Sequence, residues 1–431
     1  MITDVDGHHF ATHSLKDPRL LRILSAALKA VDPFDAVRKH LPEITGRVYG
    51  LGIGKAAIPM MDALAEQIPL SGGLAVTKFT SRETTRQYLI LEGGHPVPDA
   101  RSLYAGEKVL EFVSSLGEDD TLVCLLSGGG SALVTAPLEG ISLEDLRSLT
   151  ALLLSCGARI DEINTIRRHL DRIKGGRLAR ATKAKIMSLI LSDVIGNPLE
   201  AIASGPTVPE PTTKKDALSI LNKYNITRTT PSSIRAMLES VSKLSEIQEQ
   251  ASELQNHIQN IIVGDNKLAS HAALEQAKEA GFHTQILTNE LQGEAREIGM
   301  RLAKQLHDEI SKHSHPFCLI AGGETTVTIQ GTGKGGRNQE LALAAVDELA
   351  GLKNGMLISL ATDGDDGPTD AAGAVVTGES AQRAESLGLR AADHLSRNDA
   401  YPYFDALSDL IKTGPTGTNV NDIIFLIGGV E

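Results

Sequence analysis

The sequence predicts an α/β protein of two domains: an N-terminal, mostly parallel sheet covered by helices on both faces, and a C-terminal α/β domain with a mixed sheet. Three observations predict it. Short apolar runs bounded by turn residues alternate with stretches whose apolar positions recur at helical spacing, the pattern of right-handed βαβ units. That alternation stops between Thr212 and Gln255, where the chain turns polar and helical without a strand candidate, and then resumes. In the second set the runs Phe317–Ala321 and Thr326–Ile329 are separated only by GGET, short enough for a hairpin, so at least one pairing there should be antiparallel.

From Leu15 to Val31, Leu20, Leu21, Leu24 and Leu28 recur at helical spacing and make an opening amphipathic helix. Strands are expected at Arg47–Ile53, Gly73–Thr77, Tyr88–Leu91, Thr121–Leu126 and Lys185–Leu191, with helices at Ala56–Gln67, Arg101–Leu116, Leu143–Ser155 and Ile160–Arg172. The second set reads as strand Ile258–Val263, helix Lys267–Ala280, strand His283–Leu287 and helix Glu294–Lys312. The strands Phe317–Ala321, Thr326–Ile329, Met356–Ala361, Ala374–Val376 and Ile423–Ile427 complete it. His8, His9 and His13 sit on a polar terminus without a partner motif, and disorder is the expectation there.

Composition narrows the function. At 431 residues the chain has room for about two or three cores. Hydrophobic residues at 41% and charged residues at 22% are ordinary for a soluble globular protein. Aromatics at 3%, without Trp, offer no stacking platform for single strands, and a net charge of -12 opposes a nucleic-acid backbone. Any anionic substrate must therefore meet a local positive site. No run reaches transmembrane length, and the terminus is polar and acidic where a signal peptide is cationic and then apolar, so a cytoplasmic protein with no membrane partner is expected. Cys124, Cys156 and Cys318 lack metal spacing and read as reduced thiols.

Several passages carry chemistry. GIGKAA places Gly52, Gly54 and Ala57 after a strand and before a helix, as in a dinucleotide fold, but Thr77 and Lys78 end the second strand where an acid would hold a ribose. Lys55 stands at a helix N-terminus, where a cation is unfavourable unless an anion is bound. Ser127, Gly128, Gly129, Gly130 and Ser131 form a turn with more glycine than a tight βα turn requires, open to phosphate contact through backbone N–H groups and serine hydroxyls. Arg167, Arg168, His169, Arg172, Lys174 and Arg177 concentrate positive charge in an acidic chain, either on a solvated helix face or toward a cleft. Asp193 comes after a buried strand, at the carboxyl edge where α/β sheets bind ligands; an Asx turn is the alternative. Ala321–Glu340 sets six glycines, Glu324, Lys334 and Arg337 around a β-branched run, with Asn338 as the expected N-cap of the next helix and an anion as its expected guest. Asp363, Asp365, Asp366 and Asp370 crowd one loop and need a cation, magnesium or Arg337, nearby.

Taken together, GIGKAA, GGHPVPD, LLSGGGSAL, EINTIRRHLDRIKGGRLA, SDVIGNPLEAIASGPTVPE, IIVGDN, AGGETTVTIQGTGKGGRNQE and ATDGDDGPTDAAGA resemble the class II glycerate kinases, whose C-terminal portion is the MOFRL domain. The resemblance implies a Rossmann-like N-terminal domain over 1–255 and a MOFRL-containing domain over 256–431, with the active site in the cleft between them. It implies ATP-dependent phosphorylation of D-glycerate to 2-phosphoglycerate with magnesium, a small molecule and a nucleotide being the partners; a homo-oligomer stays open. Lys55, Asp193, Glu324 and Arg337 match positions the family uses. In that frame Lys55, Asp193 and Arg337 are the expected catalytic residues. Gly54, Ser127–Ser131, Glu324, Gly333, Lys334, Gly335 and Gly336 are expected to hold substrate or ATP, and Asp363 and Asp366 the metal. Asn197 and Glu210 stand where relatives often have Asp, Cys156 and Asp171 where Ser is frequent; without a carboxylate, position 197 is not a metal ligand. An NAD(P)H-dependent hydroxypyruvate reductase and a non-catalytic anion-binding protein are the competing readings.

Overall fold

The computed structural model describes residues 7–78, 87–240, 257–312 and 314–430. They fall into two compact units, Pro33–Val263 and a second made of Met1–Asp32 with Gly264–Glu431. The division expected between residues 255 and 256 falls outside the described residues. Its neighbours correct the sequence reading in two places: the run at 258–263 belongs with the first sheet, and the opening helix belongs with the second unit.

In the first unit the strands are β1 (Arg47–Ile53), β2 (Gly72–Thr77), β3 (Leu89–Glu92), β4 (Asp120–Leu126), β5 (Lys185–Leu191) and β6 (Ile258–Gly264). They lie in the order β3-β2-β1-β4-β5-β6. β1 runs parallel to β2 and β4, β2 to β3, and β4 to β5. The order reverses between β1 and β4, which makes their carboxyl ends the switch point where such sheets bind ligands. Helices cover the sheet because their starts are specified locally. Asp99 and Ser142 close capping boxes at Ala100–Ser114 and Leu143–Ser155, and the apolar stripe of the first, Ala105, Val109 and Val113, packs on Leu51, Leu122 and Cys124.

The second sheet contains β7 (His283–Leu291), β8 (Phe317–Gly323), β9 (Gly355–Ala361), β10 (Gly373–Thr377), β11 (Leu410–Ile411) and β12 (Asp422–Gly428). Its order is β11-β10-β9-β12-β8-β7. β7 is parallel to β8, whereas β12 is antiparallel to both β8 and β9, and β10 to both β9 and β11. The sheet is mixed, as expected, but for another reason. Thr326–Ile329 forms no hairpin: Thr326 makes an isolated parallel bridge to Glu294, and the Glu294 carboxylate takes the N–H of Thr328 at 3.0 Å. Ile329 is 78% exposed, so its β-branched neighbours find no half-buried surface to pair on. Every residue of β8, β9 and β12 is buried, with helices Ala295–Lys312 and Arg337–Leu349 contributing to the same core.

The N-terminal segment is also tied into this unit. Helix Pro18–Ala30, capped by Asp17, packs against helix Asn266–Glu279. The sequence suggests disorder from His8 to His13, yet Phe10 is fully buried and Thr12 and Ser14 donate to the carboxylate of Asp409, which Arg383 also binds at 2.8 Å. Among the described residues no helix is long and apolar enough to cross a membrane. Cys124 and Cys318 are buried, and burial pushes both thiols up to about 12.

Candidate active site

The first constellation forms where β1, β4 and β5 end. The loop after β1 and the loop after β4 are laced together: Ser127 N donates to Ile53 O at 3.0 Å, Lys55 N to Gly128 O at 2.9 Å, and Ala56 N to Ser127 Oγ at 3.0 Å. Gly54 has φ +134° and a Cβ there would lie 2.1 Å from Ser127 Oγ, so only glycine permits this approach. Ser127 is 1% exposed and its hydroxyl accepts from Ala56, which makes it a brace for the turn where the sequence suggested a ligand donor.

The same contacts locate the reactive groups. A Cβ on Gly128 would fall 2.0 Å from an Asp193 carboxylate oxygen, and one on Gly129 would fall 3.1 Å from His95 Cδ2 and 3.3 Å from Lys55 Cγ. Lys55, His95 and Asp193 therefore converge on the Gly128–Gly129 turn. Ser131 Oγ shares a hydrogen bond with Ser204 Oγ at 2.8 Å, and Gly130 opens a single helical turn, Gly130–Leu133.

His95 is not singled out by its sequence context. It lies inside GGHPVPD, a stretch without helical or strand period, and only the fold brings it beside Lys55. Burial, then the charges of Lys55 and Lys78, lower its pKa from 6.5 to about 4. It is neutral at pH 7. Because the unfolded chain protonates this ring first, its contribution to stability is complete above pH 6.5 and is lost as pH falls toward 4. His169, also lowered to about 4 chiefly by burial, adds to that dependence. His95→Gln should flatten part of the decline in unfolding midpoint between pH 6.5 and 4. Lys55→Met should raise the His95 midpoint seen by proton NMR; an unmoved midpoint would contradict the juxtaposition.

Most of the cationic run from Arg167 to Arg177 is structural. Arg168 pairs with Glu210 at 2.5 Å, Lys174 with Asp171 at 2.6 Å, and Arg172 with Glu107. Arg177 donates to the carbonyls of Arg168, Asp171 and Lys174, and His169 Nε2 lies 3.2 Å from Thr212 Oγ1. Asp171 accepts from Thr135, Ala136, Ile173 and Lys174 and anchors the chain after helix Ile160–His169.

The second constellation lies in the other unit. Arg337, the first residue of helix Arg337–Leu349, donates to both carboxylate oxygens of Asp422 at 2.6 and 3.0 Å and to Glu324 at 2.6 Å. Burial opposes the charge of Arg337, but Asp422 and Glu324 outweigh it and hold its pKa above the ordinary value. Asp422, which opens β12 and is 1% exposed, is absent from the sequence-based set; an acid beginning a fully buried strand (NVNDIIF) was the available signal.

The anion expected at this helix N-terminus is supplied internally. Both oxygens of Asp366 accept backbone N–H groups, from Asn338 at 3.1 Å and Gln339 at 2.9 Å. Asn338 is not the N-cap; that position is Gly336, while the buried Asn338 side chain accepts from Ser359 Oγ at 2.6 Å. Burial, opposed by those N–H donors and aided by the Asp422 charge, pushes Asp366 up to about 7. A carboxylate so engaged does not fit a preformed magnesium site. Among the described residues no group of three or more His, Cys, Asp or Glu side chains is arranged to hold a metal ion. Asp370, the outlying acid of that loop, accepts from Tyr401 at 2.6 Å.

The glycine loop preceding the helix is likewise committed to the fold. Gln330 N and Gly331 N donate to Asn398 Oδ1, Gly333 N to Arg397 O, and Lys334 N to Asp399 Oδ1. Lys334 Nζ sits 3.9 Å from the centre of the Tyr401 ring. These donors bind residues 397–399 where the sequence suggested phosphate.

A family model described as a domain of unknown function (DUF4147) matches residues 19–239, and the MOFRL family model matches residues 317–422. A glycerate 2-kinase of Pyrococcus horikoshii is 40% identical, over 94% of this chain and 96% of its own. The chain belongs to the glycerate kinase family. A crystal structure of glycerate kinase from Thermotoga maritima is similar over 95% of this chain and 99% of that one, with a TM-score of 0.85 and 40% identity. A relative from Agrobacterium vitis, 41% identical over 95% of this chain and 94% of its own, carries the name hydroxypyruvate reductase on a provisional basis. The glycerate kinase fold thus accounts for both sheets.

Proposed function

We propose that this chain transfers the γ-phosphoryl group of MgATP to the 2-hydroxyl of D-glycerate. The observation that carries this reading is the convergence of Lys55, His95 and Asp193 on the Gly128–Gly129 turn at the switch point of the first sheet. The hydroxyl oxygen attacks the γ-phosphorus, the bond to the β–γ bridging oxygen breaks, and ADP leaves. Asp193 takes the hydroxyl proton. Lys55 offsets charge on the transferring group, since such transfer depends on positioning and charge neutralisation more than on covalent help. Neutral His95 adds a hydrogen-bonding ring without further positive charge. Magnesium enters as the counter-ion of the nucleotide.

A reductase is disfavoured by the end of β2, where Thr77 and Lys78 stand in place of the acid that holds the ribose of NAD. The deciding experiment supplies MgATP with D-glycerate and resolves 2- from 3-phosphoglycerate, beside NADH and NADPH with hydroxypyruvate. ATP-dependent 2-phosphoglycerate with no reduced-nucleotide oxidation is expected. Oxidation without phosphorylation would overturn the reading.

A further inference from the structure

The chain after β5 returns to the glycine turn with an uncommon backbone. Ala203, Ser204 and Gly205 follow one another at φ 49°, 60° and 59°. The left-handed region suits single glycines, so two side chains in succession there are strained. The surroundings hold them: Gly175 N donates to Ser204 O at 3.0 Å and Gly176 N to Gly205 O at 2.8 Å. Ala203 packs on the glycine turn itself, where a Cβ on Gly130 would lie 2.8 Å from the Ala203 Cβ. What this backbone delivers is one side chain, Ser204, to Ser131 at the end of the turn.

Burial fixes the direction of the contact between the two hydroxyls. Ser204 is 0% exposed, and among the described residues the one partner of its hydroxyl is Ser131 Oγ, 2.8 Å away. Were Ser131 the donor, the Ser204 hydrogen would be left unsatisfied inside the protein, which is the costlier arrangement. Ser204 therefore donates and Ser131 accepts. The hydrogen of Ser131 then has no acceptor among the described residues, and Ser131 is only partly buried. It ends the turn on which Lys55, His95 and Asp193 converge.

We propose that Ser204 is a positioning residue: it holds Ser131 in one rotamer, so that the Ser131 hydroxyl donates to an anionic oxygen of the bound substrates, the glycerate carboxylate or the transferring phosphoryl group. The proposal rests on the kinase reading for the identity of those substrates. Both serines stand in motif blocks quoted above, but the resemblance expects substrate contact of Ser131 and gives Ser204 no role. A donor oriented before the substrate arrives needs no reorganisation during transfer.

The test is a double-mutant cycle in the full chain, with Ser131→Ala, Ser204→Ala and the two together. Ser204→Gly serves as the backbone control, because glycine adopts the φ of 60° found there without strain. Steady-state phosphorylation kinetics are read beside calorimetric titrations with D-glycerate and with the magnesium salt of a non-hydrolysable ATP analogue. Ser131→Ala should lower kcat/KM by about tenfold or more, the scale of a hydrogen bond to a charged group, and Ser204→Ala by about three- to tenfold, that of a neutral one. In the Ser131→Ala background, Ser204→Ala should add less than about twofold, because its effect passes through Ser131. Ser204→Gly should lose as much rate as Ser204→Ala, since both lack the hydroxyl. Weaker glycerate binding assigns the donor to the carboxylate; a lower kcat with unchanged glycerate binding assigns it to the phosphoryl group. An undiminished loss from Ser204→Ala in both backgrounds, Ser131→Ala within about twofold of wild type, or a wild-type rate in Ser204→Gly would each overturn the proposal. Failure of the kinase reading is distinguishable: wild type would then bind these ligands without forming phosphoglycerate, and the cycle would be read from the affinities.

Discussion

Lys55→Met should lower kcat for glycerate phosphorylation by at least about a hundredfold while leaving the unfolding midpoint nearly unchanged. Lys55 precedes helix Ala57–Gln67, where the helix dipole is unfavourable to a resident cation and favours the anion it would hold. At about 4 Å and an effective dielectric near 20, a unit charge contributes roughly 4 kcal/mol before desolvation is set against it. Loss of a donor aimed at charge that develops in the transition state costs about a hundred- to a thousandfold. The backbone of this turn is held by Gly128 and Ser127, so the substitution leaves the lacing intact. Stopped-flow or coupled assays at saturating substrates read the effect. A kcat within a few-fold of wild type would remove Lys55 from the chemistry.

Arg337→Ala should destabilise the unit containing it by about 3–5 kcal/mol, the scale seen when one partner of a buried pair is deleted. This adds a structural role to the catalytic one that the sequence led us to expect for Arg337. Its guanidinium binds Asp422 through two hydrogen bonds, and the Asp422 side chain is 2% exposed, so deletion leaves a carboxylate inside the protein. Without Arg337, Asp422 would hold its proton to higher pH in the folded than in the unfolded chain. The loss should therefore be larger at pH 8 than at pH 5. Pairing the substitution with Asp422→Asn should recover much of the stability, and urea unfolding of the singles and the double closes the cycle. A wild-type midpoint for Arg337→Ala would show that the pair carries no structural weight. Activity lost in this variant is interpretable only beside that measurement.

The elements easiest to read were those whose two faces differ in burial or whose ends carry caps. Lys185–Leu191 and Leu143–Ser155 form with the bounds their patterns give, because a buried parallel strand and a capped amphipathic helix are each specified locally. Thr326–Ile329 had strand composition but no partner, and β-propensity without a neighbouring strand does not make one. The strand at 258–263 is apolar in either sheet, and its sequence carries no information about which edge it joins.

The site divides in the same way. The glycines, Lys55 and Asp193 were legible because strand–glycine–helix junctions place the residues just beyond a strand at the ligand-binding edge of an α/β sheet. His95 was not, since it reaches Lys55 only through the course of a loop. The sequence alone also made the loop at 331–336 and the helix after it look like an open anion site; in the fold Asn398, Asp399 and Asp366 occupy those donors. The sequence by itself determined the alternation of strands and helices, the family resemblance, and the residue types gathered at the strand ends, because each depends on neighbours a few positions away. Tertiary structure decided which charges are spent on holding the fold, as at Arg337–Asp422 and Arg168–Glu210. Arg337 and Asp422 stand 85 residues apart along the chain and Arg168 and Glu210 stand 42 apart, and no local pattern specifies such pairs.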